Sequence, residues 1–139
     1  MEAIFTQSAA DVPASKKRRW AGVIMSSLAV MFLTFDGVMK LVKVRPVVEA
    51  MERLGYPDAT ARPMGVVLLA CLALYLVHRT AVLGAVLLTG FLGGAIATHV
   101  RLEDPLFSHT LFPIYVAALV WGGLYLRDAR VRAIAPWRK

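Results

Sequence analysis

The chain has one cysteine, Cys71, nine acidic residues against sixteen Lys and Arg, and three histidines. One thiol makes no disulfide, no Cys-x-x-Cys pair and no cysteine-based zinc set. Cys71 lies within an apolar run with no basic neighbour to lower its pKa, so it reads as a small buried side chain. Any redox chemistry must then come from a bound cofactor or another subunit. From Trp20 to Thr34 nothing is ionisable at all.

What is plentiful is apolar. Hydrophobic residues make up 58% of 139 positions, and the mean hydropathy is +0.63. That is too apolar for an ordinary soluble domain of this length. The apolar residues fall in four blocks, which predicts an all-α polytopic membrane protein: an antiparallel bundle of four transmembrane helices. The spans are expected at about 20–41, 60–77, 81–100 and 106–126, forming one domain over 20–127. The flanks, 1–19 and 128–139, read as basic tails, the first of them disordered. A basic patch before an apolar run also describes a signal peptide. This run is too long for a typical one and no small-x-small cleavage site follows it.

The net charge of +7 does not point to nucleic acid, because the basic residues sit at the ends of apolar runs. Lys16–Arg19, Arg79 and the basic C-terminal residues lie on one side of the spans. The acids Glu49, Glu52, Asp58, Glu103 and Asp104 fall on the other and leave it nearly neutral. Both termini are therefore expected to be cytoplasmic, in a bacterial-type inner membrane. Membrane lipid is the first partner implied.

Between spans one and two, Arg45–Leu54 reads as a short amphipathic surface helix. Pro46 stands in its first turn and Gly55 stops it. Asp58 or Thr60 is placed to cap the second span. In the third span, Gly90, Gly93 and Gly94 predict close helix packing, with this helix at the centre of the bundle. Pro113 delays the fourth span and leaves Leu106–His109 as a re-entrant or interfacial approach.

Asp36 lies roughly one and a half turns inside the end of the first span. A carboxylate at that depth costs a few kcal/mol and needs a partner. Lys40, at i+4, is the nearest one. The antiparallel arrangement brings further groups to the same outer end: His99 and Arg101 close span three, His109 opens span four, and Glu49 lies on the surface helix. Asp36, Lys40, Glu49, His99, Arg101 and His109 are therefore the candidates for a polar pocket, with Asp36 expected to meet His99 or Arg101. Catalytic residues are not identifiable. Two histidines without a thiolate make a poor haem or metal set, so no metal site is assigned. A quinone head group asks only for one or two donors at an apolar cleft.

Several segments resemble the DoxX-like family of small four-span membrane proteins. They are Phe35-Asp36-Gly37-Val38-Met39-Lys40-Leu41, Leu54-Gly55-Tyr56-Pro57, Arg79–Ala85, Ala97-Thr98-His99-Val100-Arg101 and Pro105–His109. The resemblance covers about residues 28–136. It implies a membrane subunit of the kind found with thiosulfate:quinone oxidoreductase and oxidative-stress redox complexes, or a receptor-assembly chaperone. Three functional expectations follow. The first is a redox- or quinone-linked accessory subunit rather than a self-sufficient enzyme. The second is a non-catalytic scaffold or chaperone binding a membrane-protein partner. The third is a small-solute or proton pathway formed by a homodimer.

Overall fold

In the computed structural model, residues 15–134 are described, and all their regular structure is helical. The four long helices are α1 (Lys16–Val42), α3 (Ala61–Leu76), α4 (Ala81–Arg101) and α5 (Phe112–Arg127). Between α1 and α3 lies the short α2 (Arg45–Arg53), followed by a single 3₁₀ turn (Asp58–Thr60). A π turn (Leu106–Thr110) leads into α5, and α6 (Ala129–Ile134) follows it. Four helical segments are long and apolar enough to cross a membrane: Lys16–Val42, Asp58–Leu76, Ala81–Arg101 and Leu106–Arg127.

Two expected boundaries move. Lys16–Arg19 form the opening turn of α1, with the Ser15 hydroxyl accepting from the Arg18 N–H at 3.3 Å. The basic patch is thus helical, and the rest of the N-terminal tail lies outside the described residues. In the C-terminal flank, 129–134 is helix, while residues 135–139 lie outside the described residues.

The four long helices form a ring in which α1 and α4 are diagonal. Each packs on both α3 and α5, and the two make little contact with each other. Packing is tightest where glycines let backbones meet. A Cβ on Gly22 would stand 2.8 Å from the Gly123 carbonyl, and one on Gly65 2.8 Å from that of Gly37. These sites bring α1 against α5 and α3, so α1 is the densely packed helix. α4 meets α3 this way at Gly84, where a Cβ would stand 2.2 Å from the Tyr75 backbone nitrogen, but not along its glycine-rich middle. A Cβ on Gly90, Gly93 or Gly94 would meet nothing within 4 Å, so among the described residues these glycines do not pack helices together, contrary to the small-residue pattern.

Near the end of the bundle that carries the termini, Tyr75 is fully buried. It donates to the Val120 carbonyl at 2.8 Å and accepts from Ser26 Oγ at 2.9 Å. Its ring faces the Arg127 guanidinium, 5.1 Å from the centroid. One side chain of α3 therefore ties together α1 and α5. At the same end, Asp128 is buried and pairs with Arg130, which also donates to His78 Nε2 and to its carbonyl. Burial works to raise the Asp128 pKa, but the hydrogen bonds from Arg130 outweigh it and leave the group lowered.

Candidate functional site

At the opposite end the ring is open. A largely apolar cavity of about 530 Å³ lies between the diagonal helices α1 and α4. Phe32 and Leu33 of α1, Val67 of α3, Phe91 of α4 and Val116 of α5 wall it. Gly90 and Gly94 line it too, and their missing side chains leave room where bulkier residues would fill the gap. Met51 of α2, with Leu54 and Tyr56 just beyond its end, adds to the lining. The short amphipathic helix thus lies across the connector end of the cavity as a strap.

Polar groups gather toward this end. Asp36 and Lys40 both line the cavity and form an ion pair one helical turn apart. Their side chains are part-buried, at 32% and 16% exposure. The acid-first i, i+4 order allows the pair to form within one helix. It leaves two Lys40 N–H groups free of Asp36. Tyr56 donates to Thr98 Oγ1 at 2.8 Å, while Thr98 donates back to the Gly94 carbonyl at 2.9 Å.

His99 lines the same cavity, but its partner is not Asp36 or Arg101. Its Nδ1 lies 2.6 Å from Asp104 Oδ2. Since an ionised carboxylate only accepts, the imidazole donates. The other side of Asp104 takes two hydrogen bonds from Arg53 of α2, at 2.8 and 3.3 Å. Asp104 is half-buried as a residue, and its carboxylate side chain is only 7% exposed. The hydrogen bonds from Arg53 and then His99 hold its pKa down at about 2 against the opposing pull of burial.

The chain turn at the end of α4 makes this contact. Glu103 adopts a left-handed conformation, φ 54°, and the Asp104 N–H returns to the His99 carbonyl at 3.1 Å. A side chain five residues beyond the histidine is thereby folded back onto it.

The other candidates stand outside the cavity lining. Arg101 is exposed and donates to the Leu54 carbonyl at 2.7 Å, fastening the strap from α4. Glu49 accepts from Arg45 on the exposed face of α2. His109 lies beside Ser108 Oγ at 2.7 Å and sets its ring against that of His99, with centroids 5.8 Å apart. Asp58 caps nothing and pairs instead with Lys43, while Thr60 makes no side-chain cap. Among the described residues, no group of three His, Cys, Asp or Glu side chains is placed to hold a metal ion.

Four membrane-length helices with a side cavity beneath an amphipathic strap define a small polytopic integral membrane protein. The DoxX-like family matches residues 24–123, well over half the chain, and the protein belongs to that family. No curated protein and no solved structure matches it.

Proposed function

We propose that this DoxX-like protein holds the head group of a quinone-type lipid in the cavity between α1 and α4, as an accessory subunit of a membrane redox system. One observation carries the reading: an apolar volume of about 530 Å³ has its polar groups, Asp36, Lys40, Tyr56, Thr98 and His99, toward one end. That volume is within the range of small-molecule sites, about 300–1,000 Å³. Apolar walls suit an aromatic ring and the start of an isoprenoid tail. Lys40 offers donors and His99 offers a ring nitrogen. In this reading the chain binds and orients the head group, while the redox chemistry belongs to a partner. The distribution of charge supports a cytoplasmic-membrane location with both termini on the cytoplasmic side.

The test is retention. Protein purified in mild detergent is extracted with organic solvent, and the extract is chromatographed for quinone and quinol. Near-stoichiometric recovery is expected. Gly94→Leu should abolish it, because the added side chain grows into the cavity without meeting the backbone. No retained quinone, together with no binding of a short-chain quinone, would overturn the reading.

A second reading has its own observation. Gly93 is exposed on α4, and a Cβ added there would meet no other helix within 4 Å among the described residues. Such a surface suits close approach by a helix of another subunit, which is what a scaffold or assembly role requires. Crosslinking through a cysteine placed at Gly93 tests it.

A further inference from the structure

The Asp104 carboxylate takes the proton-bearing Nδ1 of His99 at 2.6 Å. His99 also lines the cavity, and its Nε2 has no hydrogen-bond partner among the described residues. In a neutral imidazole, a proton fixed on one nitrogen leaves the other as a lone-pair acceptor. A carboxylate behind a histidine is a recurrent way of setting that choice. Asp104 is itself fixed by Arg53, which donates to both its oxygens from the far side.

We infer that Asp104 is a positioning residue that makes His99 an acceptor in the cavity, so that the site selects a ligand presenting a phenolic hydroxyl over one presenting only a carbonyl or ether oxygen. Applied to the ligand class proposed above, on which this inference rests, the favoured form is the reduced, quinol one. The hydroxyl donates to Nε2, and Lys40 remains free to donate to an oxygen elsewhere on the same ring. Only recognition is assigned: no electron leaves the ligand in this step.

Asparagine at 104 reverses the arrangement. Arg53 keeps hold of the side-chain oxygen, which leaves the amide NH₂ toward His99. Nδ1 then accepts, the imidazole proton moves to Nε2, and the cavity presents a donor.

The experiment uses a pair that cannot be oxidised or reduced into one another: a short-chain 4-alkylphenol and its methyl ether. Binding to the full chain in detergent is measured at pH 8. The phenol should bind about tenfold more tightly, equivalent to about 1.4 kcal/mol. Asp104→Asn should bring the ratio to one or below. Arg53→Gln, which loosens the strap but leaves the Asp104–His99 contact, should preserve it. Nitrogen-15 spectra of ring-labelled histidine give a readout without ligand. His99 should show a protonated Nδ1 and an unprotonated Nε2 in the wild-type protein. Equal binding of phenol and ether overturns the selection while leaving the cavity reading intact. Binding of neither compound overturns both. A proton found on Nε2 of the wild-type His99 overturns the inference whatever the variants do.

Discussion

Arg53 and Asp104, 51 residues apart in sequence, meet in a two-pronged ion pair at 2.8 and 3.3 Å. The pair joins the surface helix α2 to the turn that closes α4. Because Asp104 also receives His99, a contact on the outside of the molecule fixes a group on the cavity wall. The strap and the site share one carboxylate.

Removing the arginine separates the two roles. In Arg53→Ala the strap keeps the Arg101 and Tyr56 hydrogen bonds to α4 but loses its ionic one. Amide hydrogen exchange over residues 45–56 should accelerate, while that of α1 and α3 near Tyr75 stays at wild-type rates. Equal acceleration throughout would show that the strap is part of the cooperative core.

Acid should act through Asp104. Its folded pKa lies near 2, below the ordinary carboxylate value of 3.8, so the unfolded chain binds the proton more readily. The stabilisation is fully present above the ordinary value and is lost as pH falls toward 2. A thermal-midpoint series in detergent from pH 5 to pH 2 should show this decline. Asp104→Asn should start lower and decline less over the same interval.

The glycines of the two ends should respond oppositely to alanine. At Gly93 the methyl group meets open space, and helix propensity alone predicts a gain of up to about 1 kcal/mol. At Gly123 a Cβ would stand 2.7 Å from the Ser26 backbone nitrogen and 2.9 Å from the Gly22 carbonyl. Gly123→Ala must force α1 and α5 apart, at a cost of about 1–3 kcal/mol. Steric-trap or denaturant unfolding of the two variants measures the contrast.

Glu103 holds a left-handed backbone that favours glycine. Glu103→Gly should therefore raise stability, by about 1 kcal/mol where the strain is fully relieved. The Asp104–His99 contact should persist, visible as an unchanged His99 nitrogen spectrum.

The four spans were legible because hydropathy and helix length are local properties. The Asp36–Lys40 pair was legible for a similar reason, since both residues belong to one helix and their spacing is one turn. His99 could be placed at the correct end of the bundle but not given its partner. Asp104 looks like one more surface acid in a polar connector, and only the left-handed turn at Glu103 brings it back. A non-glycine residue in that conformation leaves no mark in a sequence, although an acid a few residues past a helix-terminal histidine is a pattern to search for. The glycines of α4 misled in a different way. Small residues allow close approach but do not require it, and here Gly90 and Gly94 make empty space. The residues that do bring backbones together, Gly22 with Gly123, Gly37 with Gly65 and Gly84 with Tyr75, are spread over all four long helices, so no single stretch reveals them.

Tyr75 has a mechanical consequence. By riveting three helices near one end of the ring, it confines any breathing of the bundle to the other, as the joint of a pair of tweezers does for its tips. Spin labels on α1 and α4 should show a narrow separation near the rivet and a broad one beside the strap, and a guest molecule arriving there should narrow the broad one alone.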